Sequence, residues 1–299
     1  MLTVLQQVII LFIFALAGYI LCRAGLADAS HSKLLATLEV YIFLPCTIFK
    51  TFSNNCTREY ISKEYAMILI AAAVLAVIIT AAFFTSRLIT KDSYTRRVYQ
   101  YSLIVPNSGY MGYALAQSLY GDSAMLNAMI FAIPVSLYTY SMGFCLLTKS
   151  KLNLKKLIHP VIIAVIVGCA VGLSGLKMPT IATSILDKAS ACMAPISMII
   201  TGMTISQFRI RDLLSDKRAY LVTALRLIVI PVAVALALKP FCAEYIVRSA
   251  LLIFAMPCGL NTIVFPKLVG EDCRPGAALA CLSTTGAIIT IPLCLTLLL

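Results

Sequence analysis

"VPNSGYMG" (105–112) and "MPCGLNTIVF" (256–265) place Pro, Gly, Asn and small hydroxyl residues together inside two long apolar segments. Pro106 and Pro257 each remove an amide donor and clash with the preceding turn. Gly109, Gly112 and Gly259 permit unwound backbone close to a neighbour. Such interruptions create half-helices whose free N–H groups carry roughly half a positive charge at their N-terminal ends. Asn107, Ser108, Asn261 and Thr262 would add side-chain donors and acceptors beside those ends. This chemistry suits an anion, and a carboxylate most naturally. The candidate binding residues are therefore Asn107, Ser108, Gly109, Gly259, Asn261 and Thr262, with Pro106 and Pro257 as the helix breaks. Arg226 joins them as a cation inside another apolar segment, which either neutralises the anion or snorkels to the interface.

Other chemistries find few residues. His31 and His159 are the only 2 histidines and stand far apart, so neither a metal site nor a histidine proton relay has partners. No G-x-S-x-G or H-E-x-x-H occurs, and no enzyme, metal or cofactor is expected. The coupling ion stays open between proton and sodium. Sodium would call for several oxygen ligands, and the nearest acids, Glu244 and Glu271, lie at the ends of the second broken segment. Glu39 and the Asp187-Lys188 pair occupy related places and read as packing or dimer contacts rather than substrate ligands.

The elements that would carry these residues are spans of a bilayer. Of 299 residues 61% are hydrophobic and 12% charged, with mean hydropathy +0.96, outside the usage of soluble domains. At about 20 apolar residues per span, ten spans are predicted, at 3–22, 34–53, 65–87, 97–119, 124–148, 159–176, 181–206, 219–239, 246–269 and 275–298. The short connections leave no room for a soluble domain. Met1 to Gln7 hold no Lys or Arg, so the first span is expected to be retained rather than cleaved. The net charge of +12 does not indicate nucleic acid, because sixteen of the 24 basic residues fall in alternate loops. By the positive-inside rule these loops are cytoplasmic and both termini outside, in a plasma or inner membrane. The 11 cysteines lack a C-x-x-C pair and read as small apolar packing residues. Asn55-Cys56-Thr57 matches a glycosylation acceptor in an outer loop.

The chain also resembles itself. A shift of 150 aligns Gly18 with Gly168, Gly25 with Gly175, Leu26 with Leu176 and Pro45 with Pro195, and shifts within one residue align Pro106 with Pro257 and Gly121 with Gly270. Five spans per half make the second half enter from the opposite side. The reading is an all-α membrane protein of ten helices in a 5+5 inverted repeat, halves 1–150 and 157–299, with broken spans four and nine crossing so that each satisfies the other. Inverted repeats with matched interruptions belong to secondary transporters. Pro45, Pro134, Pro195, Pro231 and Pro292 read as ordinary kinks.

"PNSGYMGYALAQSLYGD" and "MPCGLNTIVFPKLVGEDCRPGAALACLSTTGAIITIPL", with "LEVYIFLPCTIF", resemble the auxin efflux carrier family of permeases, within the bile acid/sodium symporter-like superfamily. In the second motif Pro257, Asn261, Gly270, Ser283, Thr284 and Pro292 carry the pattern. The resemblance implies a scaffold of spans one, two, six and seven, often dimeric. It implies a mobile transport domain of spans three to five and eight to ten, elevator-like movement, and substrate contact at Asn107 and Asn261. Residues 66–86 lack the third-span acid that plant carriers have for proton coupling. The expected function is secondary active transport of a small organic anion such as malate, malonate or an auxin-like acid. An anion channel or a non-transporting receptor on the same fold is the alternative.

Overall fold

A computed structural model describes residues 2–149, 160–176 and 178–299. Lys151, Lys155, Lys156, His159, Lys177 and the expected start of the second half at 157 lie outside the described residues. Twelve principal helices organise the described residues, besides a single helical turn at Ile210–Leu213: α1 (Leu2–Arg23), α2 (Ser32–Asn55), α3 (Arg58–Ile89), α4 (Ser93–Ile104), α5 (Tyr113–Phe131), α6 (Ile133–Thr148), α7 (Pro160–Ser174), α8 (Thr180–Ser206), α9 (Lys217–Leu238), α10 (Glu244–Phe254), α11 (Asn261–Leu268) and α12 (Arg274–Leu297).

Six of these, α1, α2, α3, α8, α9 and α12, are long and apolar enough to cross a bilayer, and α5 with α6, bent by 47° at Ala132, makes up to seven. The expected count of ten is thus not reached by length alone. The segments at 97–119 and 246–269 are divided into short helices by their own breaks, and the described part of 159–176 is the 15-residue α7. The surface is that of a lipid-immersed molecule. Ile13, Val77, Ile166, Ile181 and Leu297 are each more than half exposed, the inverse of a water-facing surface.

The prolines act as their chemistry dictates. Pro195 and Pro292 sit inside continuous helices. Pro45 and Pro231 each follow a π turn, Glu39–Phe43 and Leu225–Val229. A missing N–H two residues on leaves carbonyls to re-pair with a wider turn. Pro134 differs, because it stands just after the 47° bend.

Small residues set the closest contacts. α1 packs along α8, and α2 along α7. A Cβ on Gly202 would collide with the Ala15 carbonyl, and one on Gly18 with the Ile199 carbonyl. Backbone-to-backbone approach of this kind is how helices pack where lipid removes the usual hydrophobic drive. Gly202→Val is expected to cost about 1–3 kcal/mol through overpacking, read as a lower melting temperature in detergent. An unchanged melting temperature would mean α1 is not held this tightly.

Two observations bear on symmetry. The glycines with positive φ among the described residues are Gly25, Gly121, Gly175 and Gly270, two pairs at offsets of 150 and 149. The packing pairs correspond too: α1 with α8 matches α7 with α2, and α3 with α4 matches α9 with α10.

Candidate functional site

The two interruptions meet. Asn107 donates its N–H to the Pro257 carbonyl at 2.8 Å, and Gly259 donates to the Val105 carbonyl at 3.2 Å, forming an antiparallel bridge between Pro106 and Cys258. Each break therefore supplies the backbone partner that the other lacks, which is what burial away from water requires. Ser283 of α12 completes the second break by accepting from the Cys258 N–H at 3.0 Å. Ser283→Ala would strand that buried N–H, a loss of about 1–3 kcal/mol. A melting temperature equal to the wild type would show that the amide has another acceptor.

The bridge separates the helix ends by polarity. The N-terminal ends of the π turn Ser108–Gly112 and of α11 face one cavity of about 70 Å³, whose wall includes Pro106, Asn107, Ser108, Gly109, Gly259 and Asn261. The amides of Thr262, Ile263 and Val264 already donate to the Gly259 and Leu260 carbonyls, and those of Met111 and Gly112 to the Asn107 carbonyl, so the cavity meets the positive ends of the helix dipoles rather than a full set of open amides. Across from them α2 contributes Val40 and Leu44, and α6 contributes Ser136, Thr139 and Tyr140. Asn107 is 3% exposed, and its Oδ1 has no hydrogen-bond partner among the described residues. Tyr101 is fully buried on α4, and its hydroxyl makes no hydrogen bond among the described residues.

The C-terminal ends of α4 and α10 lie elsewhere, and there stands Arg226. Its side chain is 0% exposed, so it does not snorkel. One guanidinium nitrogen donates to the Leu103 carbonyl in the last turn of α4 at 3.4 Å, and the group lies 5.9 Å from the Phe254 ring at the end of α10. A cation at two helix C-termini opposes their partial negative charge. Nε and Nη2 have no partner, and no carboxylate pairs with Arg226 among the described residues.

The sequence-predicted residues thus divide. Asn107, Ser108, Gly109, Gly259, Asn261 and Pro106 share one wall. Pro257 accepts the bridge bond. Thr262 is fully buried and turns away, donating to the Gly259 carbonyl at 2.9 Å. Arg226 is not on the cavity wall. Tyr113, Ser136, Thr139 and Tyr140 also line the cavity and are not among the sequence-predicted residues, although the last three belong to "SLYTYSMG", an unusually polar run for a span. Glu244 is paired with Arg248, and Glu271 with Lys149 at 3.4 Å, so neither carboxylate is directed into the site.

A larger cavity of about 480 Å³ lies between α3 and α9. Among the described residues Thr85 is the only hydroxyl on its wall, which offers nothing to hold a charge.

Comparison with known proteins decides the family. The model of a membrane transport protein family matches residues 3–152 and 144–295. The chain belongs to this family of auxin efflux carrier-like permeases. An uncharacterized transporter from Methanocaldococcus jannaschii is 23% identical over 301 residues, covering 97% of each chain. An uncharacterized transporter from Methanothermobacter thermautotrophicus is 25% identical over 236 residues, 77% of this chain and 76% of its own. The uncharacterized transporter YfdV of Escherichia coli is 24% identical over 304 residues, 95% and 94%. This permease is an integral membrane protein of a transport family, and its paired breaks lie within the matched regions.

Proposed function

We propose that the chain is a secondary active carrier of small organic anions, built as a 5+5 inverted repeat of ten spans in which broken spans four and nine cross. The observation that carries the reading is the common orientation of two helix N-termini and two asparagines toward one buried cavity. A carboxylate there would sit at the positive ends of two helix dipoles and receive the side chains of Asn107 and Asn261, while Arg226 holds the surrounding potential positive. Charge-assisted bonds of this kind are about twice as strong as neutral ones.

The cavity suggests the size of the guest. At about 70 Å³ it is far below the ~300 Å³ at which drug-sized pockets begin. That favours a compact acid of malonate size over a bulky aromatic one. Side chains contributed by α2 and α6 close the wall, which accords with a scaffold and a moving transport domain sharing the site, and with elevator-type alternating access. A homodimer through α1, α2, α7 and α8, with both termini outside a plasma membrane, belongs to the same proposal.

A thermal-shift screen of mono- and dicarboxylates on purified protein, with and without sodium and across pH, tests the site. Stabilisation by a small carboxylate at micromolar to millimolar concentration is expected, and no shift with any would contradict the reading. Proteoliposome uptake then separates carrier from channel. Saturation and counterflow are expected, whereas flux that neither saturates nor shows counterflow would mark a channel.

A further inference from the structure

We propose that the carboxyl of Glu39 is a proton-binding site, loaded while the adjoining cavity holds its anion, so that proton and anion cross together. The coupling rests on the carrier reading above; the proton site itself does not. Glu39 opens the π turn of α2 and is 0% exposed.

The hydrogen bonds around Ser197 supply the first argument. Ser197 Oγ on α8 is bonded to Glu39 Oε1 and also, at 2.7 Å, to the Met193 carbonyl. A hydroxyl has one proton and a carbonyl has none. The hydroxyl proton serves only one of the two acceptors at full strength, and a proton on the carboxyl satisfies both. Glu39 then donates to Ser197, and Ser197 donates to Met193.

The surroundings supply the second. Glu39 Oε2 has no partner, and no ion pair reaches Glu39 among the described residues. On α8, Asp187 and Lys188 stand roughly 15 Å along the helix from Ser197, with Cys192 exposed between them. On α7 the one titratable group is Cys169, which contacts Cys56 at 3.5 Å. On α2 itself, Lys33 lies nearly two turns before Glu39, Tyr41 is exposed, Cys46 is partly buried, and Lys50 pairs with Asp187 at 2.8 Å. Tyr140 of α6 is the titratable group in electrostatic reach. An ionised carboxylate here would lack a cation, and that is costly.

Proximity to the cavity supplies the third. Val40, next to Glu39, and Tyr140 both line it. In a weakly screened interior an anion in the cavity and an ionised Glu39 repel each other. Anion binding and proton binding therefore favour each other, and by linkage the effect is reciprocal. Glu39 stays on the scaffold side of the cavity: a hydronium ion or buffer acid on the entry side supplies the proton, an O–H bond forms at Glu39, and it breaks to water when movement of the transport domain with its anion opens Glu39 to the exit side. Anion affinity should accordingly fall as pH rises through the titration of Glu39.

The test compares wild type with Glu39→Gln, a neutral isostere, in proteoliposomes with malonate as probe. Infrared difference spectra at neutral pH should contain a protonated-carboxyl band that the substitution removes. An inwardly directed acid gradient should drive malonate accumulation by up to about ten-fold per pH unit for one proton, and Glu39→Gln should lose this gradient-dependent part. Equal gradient responses in the two proteins, or no protonated band attributable to Glu39, would overturn the proposal. Vesicles that exchange no carboxylate would sink the carrier reading and the coupling with it, while the band would still report whether Glu39 holds its proton.

Discussion

Arg226→Met is expected to lower small-carboxylate uptake by roughly ten-fold or more while leaving the melting temperature unchanged or higher. The two effects separate because the guanidinium is buried without a carboxylate. Replacing a buried charge with an apolar side chain of similar volume is often neutral or stabilising, and Nε and Nη2 are unsatisfied as the protein stands. Loss of the cation's interaction with the ends of α4 and α10 offsets part of that gain, by about 0.3–2 kcal/mol. Function has no such compensation. A unit charge some 10 Å from an anion contributes on the order of 1.5 kcal/mol at an effective dielectric near 20, about a factor of ten in affinity. Arg226→Lys keeps the charge but loses the planar fork that reaches the Leu103 carbonyl, and an intermediate rate is expected. Initial uptake rates and thermal unfolding of the same preparations check this. A stable Arg226→Met protein with wild-type uptake would remove the charge from the mechanism.

The second large effect belongs to the asparagines. Asn107→Ala and Asn261→Ala should each weaken carboxylate binding by roughly ten- to a hundred-fold, since a hydrogen bond to a charged group is worth about 1.5–3 kcal/mol. Folding should survive in both. The Asn107 side-chain oxygen makes no hydrogen bond, and the bridge uses the Asn107 backbone rather than its amide group. Calorimetric titration with the best carboxylate from the thermal-shift screen measures the loss. Wild-type affinity in both variants would take the side chains out of the site.

The sequence was most informative where side chains override local propensity. Pro106 and Pro257 announce the breaks because a missing N–H is a local fact, and the neighbouring Gly and Asn mark them as more than kinks. The membrane class followed from apolar content alone. Pairing between the breaks at 2.8 and 3.2 Å uses backbone atoms common to every residue, so no side-chain pattern could specify its register. Arg226 was legible as an anomaly but not as a cation seated at helix C-termini, since its neighbours Leu103 and Phe254 come from two other helices. The Glu39–Ser197 contact joins residues 158 apart, and nothing local distinguishes that serine from others in α8. The cavity's far wall was likewise hidden. Ser136, Thr139 and Tyr140 gain meaning only once the bend at Ala132 turns α6 toward the breaks.

The most direct measurement is a magnetic-resonance distance between isotope-labelled malonate, or the tightest-binding carboxylate of the screen, and the side-chain amides of the permease in lipid. Dipolar contact with Asn107 and Asn261 is expected, and its disappearance in the double alanine variant should leave the rest of the spectrum in place. A bound carboxylate with no contact to either asparagine, or contact that persists after both are removed, would contradict an anion held at the meeting point of the two broken helices.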